Sequence, residues 1–332
     1  EIVYAAAMEQ NTWIIEAGDE GERLDLFLTF IWPDRSRSAI QKLIKTGHVT
    51  VGDASATVHR FLKEGDVVAW DGKEAEPKTR PGTVEKSETP LPAFEDLVVE
   101  ETDDWIVLDK PTGLLVHADA KTKEGTLVDV LLAHDPAMAK IGEDPVRPGI
   151  MHRLDREVSG LMVVAKTQNT FDELKRQFAS REVKKIYLAM CHGSLPEEEG
   201  DIKFRIARST TQPRMAARPE KVKEGLPAGQ AGKAAWTHYR VKERFKGATL
   251  VELEILSGRT HQIRAHMHAM QCPVMGDALY AIKKTERNVN APRLMLQSVE
   301  LEFTDPASGE RKHFDLAPVP EFERLSEEFR TS

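Results

Sequence analysis

At 332 residues the chain has room for about two domains, and 40% apolar against 30% charged residues is the balance of a protein with a sizeable buried core. Two cysteines, Cys191 and Cys272, are too few for a disulfide framework and suit a reducing compartment. No run approaches the ~20 apolar residues that span a bilayer, and EIVYAAAMEQ lacks the basic flank and apolar stretch of a cleaved leader, so a cytoplasmic protein with no membrane partner is expected.

The formal charge of −8 argues against a polyanion as partner only as an average. Residues 64–104 carry thirteen acids against four bases, whereas 203–244 carry eleven Lys/Arg against three acids, a local +8. Fields at a protein surface act over about a Debye length, ~10 Å, so the local patch decides what can bind there. Global acidity therefore leaves RNA open as a ligand.

In chain order, a small unit is expected over 20–70. SRSAIQKLIKTGHVTV has serines at a helix start, a helical apolar pattern of Ile40, Leu43 and Ile44, a stop at Gly47, and an alternating strand after it. Arg37, Gln41 and Lys45 fall at i, i+4 and i+8, one stripe opposite the apolar one, and no acid occurs from Arg35 to His48. A basic helix of this kind suits phosphates, and equally a plain solvated face. Residues 71–93, rich in Pro, Lys, Glu and Thr, read as a linker. From 94 to 332 the pattern is one larger α+β domain. WIVLDK, GLMVVAK, KIYLAMCHG, WTHYRVKERF, ATLVELEIL and SVELEFTD are strand candidates, and 168–180, 260–270 and 321–330 are helical. Strands that follow one another directly predict a mixed, largely antiparallel sheet rather than a doubly wound one.

Within that domain HRLDREVSGL, residues 152–161, crowds His152, Arg153, Asp155, Arg156 and Glu157 against an apolar strand. A carboxylate near a core needs a cation or hydrogen-bond donors to remain charged, though a loop ion pair or a turn cap accounts for it as well. Arg259, just ahead of a helix start at Thr260, Tyr187 on a strand, and the turn from Lys110 to His117 are the candidate neighbours. His261, His266 and His268 lie at i, i+5 and i+7, which does not favour a metal site. Ser159 lies in VSGL and not in a nucleophile elbow.

Together these segments resemble the RluA/RluD-type RNA pseudouridine synthases. The central H-R-L-D-R-x-x-S-G-L motif is His152 to Leu161. K-P-x-G-x-x-V-H is met by Lys110, Pro111, Gly113, Val116 and His117, and the tyrosine strand by Lys185 to Tyr187. G-R-T-H-Q-I-R-x-H runs from Gly258 to His266, and P-x-x-G-D-x-x-Y is met by Pro273, Gly276, Asp277 and Tyr280. The resemblance runs through about 95–320. The 20–70 unit similarly resembles the small RNA-binding module named after a small-subunit ribosomal protein, through Arg23, Leu24, Asp25, Leu28 and Ser36 to Ser38. Val158, Val51-Gly52-Asp53 and Gln297-Ser298 depart from the usual residues, which bears on the target rather than on the chemistry.

The resemblance implies an isomerase that turns uridine into pseudouridine without cofactor or metal, acting on a nucleotide taken out of its stack. Asp155 would be the essential carboxylate, Arg259 its partner, and Tyr187 the ring against the base. Arg153 would fill the gap the base leaves or hold its phosphate. The basic 203–244 segment is expected to be a mobile finger gripping an RNA stem-loop through Arg208, Arg214 and Arg218, while Arg37 and Lys45 serve the small unit. Large-subunit ribosomal RNA or its precursor is the expected partner, with no obligatory protein partner. Transfer RNA, or an assembly factor without chemistry, are the alternatives.

Overall fold

The computed structural model describes residues 11–32, 35, 37–52, 54–58, 60–73, 91–119, 122–209, 211–221, 231–282 and 291–331, the side chains of Arg37 and Ser38 excepted. The chain divides into two units, Glu1–Thr83 and Val84–Ser332. Residues 74–90, most of the expected linker, lie outside the described residues.

The first unit is built from β1 (Thr12–Ile14), α1 (Leu24–Ile31), α2 (Arg37–Lys45), β2 (Val49–Val51), β3 (Ala54–Ser55) and β4 (Val67–Trp70), its strands pairing antiparallel in the order β1-β4-β2-β3. Each helix buries residues at i, i+3 and i+4: Leu24, Phe27 and Leu28 from α1, Ile40, Leu43 and Ile44 from α2. These stripes close over Val49, Val51 and Val68 of the sheet. Gly47, at φ +82°, ends α2: its N–H donates to Ile44 O and that of His48 to Leu43 O, the paired bonds of a Schellman stop. The expected Arg37–Gln41–Lys45 stripe is broken. Asp25 is fully buried, and Gln41 Nε2 turns inward to donate to it at 2.8 Å beside the Arg23 guanidinium. A buried carboxylate outcompetes water for that amide. Lys45 remains exposed, and the Arg37 side chain lies outside the described residues.

The second unit carries β5 (Val98–Glu101), β6 (Trp105–Lys110), α3 (Leu127–His134), β7 (Ser159–Ala165), α4 (Gln168–Ser180), β8 (Lys184–His192), β9 (Glu199–Ile202), β10 (Arg205–Arg208), β11 (Met215–Arg218), β12 (Thr237–Phe245), β13 (Ala248–Ile255), α5 (Gln262–Ala269), β14 (Leu296–Thr304), β15 (Arg311–Asp315) and α6 (Pro320–Arg330). Nine strands form one sheet in the order β5-β6-β7-β14-β8-β13-β12-β9, with β15 also on β14. Among the described residues only β7 and β14 of this sheet run parallel, so the α+β, largely antiparallel architecture read from the sequence is the one found. The unbroken apolar runs of β6 and β7 arise because both faces are covered there. Trp105, Val107, Leu161 and Val163 pack with Leu174 of α4, while Ile106, Leu108, Met162 and Val164 share the other core with α3 and α6. Among the described residues no helix is long and apolar enough to cross a membrane.

Residues 205–208 and 215–218 are not the loop their composition suggests. β10 and β11 form a hairpin in register from Arg205↔Arg218 to Arg208↔Met215, and Ile206 with Met215 and Ala217 docks on Ala265 of α5 and on Tyr280. So few apolar residues, mostly small, leave little periodicity to read. Residues 222–230 of the same segment lie outside the described residues.

Gly160, the second residue of β7, sits at φ +112°, and a Cβ there would stand 2.1 Å from Ser298 O of β14. Replacing it with alanine should cost at least about 3 kcal/mol, read as a lowered denaturant midpoint of the larger unit. An unchanged midpoint would refute the close approach. His152 gives a second expectation. Its Nε2 accepts the Val163 N–H at 3.0 Å and its ring stacks on Phe178, and burial pulls it down to about 3. From pH 6.5 downward the unfolded chain takes up a proton that the folded one refuses, so stability falls as pH falls through that window. His152→Gln should flatten that slope in urea titrations at successive pH values, and parallel slopes would rule the assignment out.

Candidate active site

Two turns build the floor of the site. Lys110, at the end of β6, is fully buried and its Nζ donates to Pro111 O, Leu114 O and Arg156 O at 2.7, 2.8 and 3.2 Å. Burial lowers it to about 7, yet three carbonyls around one nitrogen is a geometry an ammonium fills completely. Gly113 N–H donates to Arg156 O, Arg156 Nε returns a bond to Gly113 O, and Thr112 Oγ1 donates to Glu157 O. The Lys-Pro turn and the turn after Asp155 are thereby held as one piece. Asp155 O accepts the Val158 N–H, which leads directly into β7.

The Asp155 carboxylate faces a cleft of about 420 Å³ that it shares with Tyr187, His261, Arg264, Arg259 and Leu296. Arg264, on α5, is 4% exposed. Its Nη1 donates to Asp155 Oδ2 at 3.0 Å, while Nε and Nη2 bind the two oxygens of fully buried Asp277 at 2.7 and 2.8 Å. Burial works against that guanidinium's charge, but Asp277 and then Asp155 hold its proton above the usual arginine range. The partner expected at Arg259 is therefore Arg264. Arg259 lines the same cleft, but its side chain is exposed and its Nε donates to Ala234 O at 3.2 Å. The physical reason is direction: residue 259 precedes the helix and leans out, whereas residue 264 lies on its buried side.

Tyr187 comes from β8 as expected and is 6% exposed. Burial, then the nearby Asp155 charge, pushes its hydroxyl well above the ordinary tyrosine range, against a hydrogen bond with Ser298. It is a ring and a donor at neutral pH. His261 sits between Asp155 and Tyr280, its Nε2 3.8 Å from Asp155 Oδ2 and its Nδ1 3.1 Å from Tyr280 Oη. Burial keeps this imidazole below its usual value and hence neutral. Asp277, Tyr280 and His261 were visible only as motif letters. A buried Asp in a G-D turn is itself a signal, since it demands a cation.

The remaining expected residues scatter. Arg153 is exposed beside Asp155, with Nη1 donating to His117 Nε2 at 3.0 Å. Burial, then the Arg153 charge, lowers His117, whose Nδ1 finds no partner among the described residues. On the hairpin, Arg208 is exposed, Arg214 donates to Leu279 O, and Arg218 is half-buried, its Nε without a partner among the described residues. Among the described residues, metal-type donors converge at Glu300, Glu302 and His313, but Lys184 Nζ already binds both carboxylates, and none of the three lines the cleft.

A family profile described as RNA pseudouridylate synthase matches residues 104–269, and an S4 domain profile matches 22–68. The chain is 37% identical over 309 residues to a ribosomal large subunit pseudouridine synthase D of Neisseria meningitidis, covering 90% of this chain and 76% of that one. It is 34% identical over 310 residues to an uncharacterized RNA pseudouridine synthase, YlyB, of Bacillus subtilis, covering 92% and 94%. Among solved structures, human RNA pseudouridylate synthase domain containing 4 shares the fold at TM-score 0.55 and 22% identity, over 70% of this chain and 92% of that one. From the matched profile and the relatives, the chain belongs to the RNA pseudouridylate synthase family, and is an isomerase with an S4 domain.

Proposed function

We propose that the protein isomerises uridine in large-subunit ribosomal RNA, with Asp155 reacting on a nucleotide turned out of its stack. The observation that carries this reading is the Asp155 carboxylate held at 3.0 Å by Arg264 inside a cleft that also contains Tyr187. The ribosomal substrate is supported by relatives named for the large subunit and by the S4 domain. Such a substrate puts the enzyme's work in the cytoplasm.

The reaction breaks the bond from ribose C1′ to N1 and forms one from C1′ to C5. N1 gains a proton and C5 loses one, so there is no net oxidation and nothing is consumed. A carboxylate at the site can attack the sugar or the base, or take a ribose proton, and each route needs it unprotonated and shielded from water. Arg264 keeps it so. Tyr187, protonated at neutral pH, supplies a stacking face and a donor rather than the acceptor of the C5 proton. Arg153, held by His117, fills the gap the base leaves. Unstacking costs a few kcal/mol, which phosphate contacts from Lys45, Arg208, Arg214 and Arg218 offset.

Asp155→Asn should abolish pseudouridine formation on protein-free large-subunit RNA while leaving RNA affinity and the unfolding midpoint unchanged. Persistent turnover would overturn the assignment, and chemical mapping of ribosomal pseudouridines in cells with and without the gene identifies the uridine. Arg264→Lys keeps the charge but cannot span two carboxylates. It should lower kcat at least about a hundredfold and destabilise the larger unit by ~3 kcal/mol or more. Wild-type kinetics would show that the pair is dispensable.

A further inference from the structure

Tyr280, which is 1% exposed, stands between the hairpin of β10 and β11 and the Asp155–Arg264 pair. The Met215 N–H, on β11, donates to Tyr280 Oη at 3.0 Å. His261 Nδ1 lies 3.1 Å from the same oxygen, and a hydroxyl proton directed to it would leave the imidazole's own proton on Nε2. Nε2 is the atom 3.8 Å from Asp155 Oδ2. The opposite tautomer would set a bare lone pair against a carboxylate. A second link runs through the ring: the Arg214 guanidinium, from the hairpin turn, lies 5.0 Å from the Tyr280 centroid, and that of Arg264 lies 5.2 Å from it.

The backbone supplies an independent sign. His261 sits at φ +53°, ψ +28°, a left-handed conformation that side chains adopt rarely. It makes no side-chain cap on α5, so helix capping does not account for it. Strain of this kind persists where the surroundings fix a residue for another purpose. In this conformation one ring reaches both Tyr280 Oη, at 3.1 Å, and Asp155 Oδ2, at 3.8 Å.

We propose that Tyr280 is a positioning residue that couples the seating of RNA on the β10–β11 hairpin to the Asp155 carboxylate, through His261 on one side and Arg264 on the other. RNA phosphates engaging Arg208 and Arg214 shift the hairpin. Met215 and Tyr280 follow, and the His261 Nε2–H closes from 3.8 Å to hydrogen-bonding distance of Asp155. The carboxylate is thereby oriented when substrate is in place. The inference rests on the reading of Asp155 as the reacting group.

The test uses the full chain, protein-free large-subunit ribosomal RNA as probe, and nitrogen-15 spectra of the imidazoles. Wild-type His261 should carry its proton on Nε2, and added RNA should move that resonance. Tyr280→Phe keeps the ring and removes the hydroxyl. It should lower kcat roughly tenfold with KM unchanged, the loss of one hydrogen bond towards a charged group, and His261 should no longer respond to RNA. A proton on Nδ1, a response to RNA that survives in Tyr280→Phe, unchanged kinetics, or a raised KM with normal kcat would each overturn the coupling. The tautomer and its response are read in the wild type, so they stand even where the variant folds poorly. An active Asp155→Asn enzyme would instead strike the underlying reading of Asp155, which keeps the two failures distinct.

Discussion

The guanidinium of Arg264 spends all three of its nitrogens on two carboxylates, Asp277 behind it and Asp155 in front. Asp277 is fully buried and also accepts the N–H groups of Leu279 and Tyr280, so it anchors the arginine as well as neutralising it. Geometry of this quality is what lets a buried ion pair offset its desolvation, and breaking one partner away leaves an uncompensated charge inside the protein. Asp155, at 17% side-chain exposure, is therefore steadied from the interior while one side stays open to the cleft. A surface ion pair would be loose and screened, and a fully enclosed one could not react.

That arrangement needs a rigid floor, and the backbone supplies it. Lys110 draws three carbonyls from two separate turns onto one nitrogen, and the turns exchange further bonds across Gly113, Thr112 and Arg156. Gly160 then lets β7 lie so close to β14 that no side chain fits between them. The charged cluster before the strand, puzzling as a bare string of letters, resolves into three jobs. Asp155 faces the cleft, Arg156 stitches the turn, and Arg153 is held at His117.

Long strands and helices with a strong period were legible: β6 and α4 fall where their patterns put them. Asp155 and Tyr187 were legible as well, each a polar group set by its motif against or within an apolar strand. What failed did so for identifiable reasons. α3 is a short apolar run whose only local mark is the capping box of Thr126 and Asp129. The hairpin hides because it buries mostly small side chains. Arg264 and Arg259 both lie in one motif, and only the course of α5 tells which faces inward. Gln41 looked like part of a basic stripe until a buried acid, sixteen positions earlier, claimed its amide.

The single parallel pairing in the large sheet has a further consequence for how the cleft comes into being. β7, which starts at Ser159 just beyond the Asp155 turn, gains its second neighbour from Gln297 and Ser298, well over a hundred positions downstream. Contacts of such sequence separation form late, since a long stretch of chain must first be closed. A ribosome must thus have reached Ser298 before this carboxylate can be locked in place, and chains that stop short of it carry the motif without the pocket.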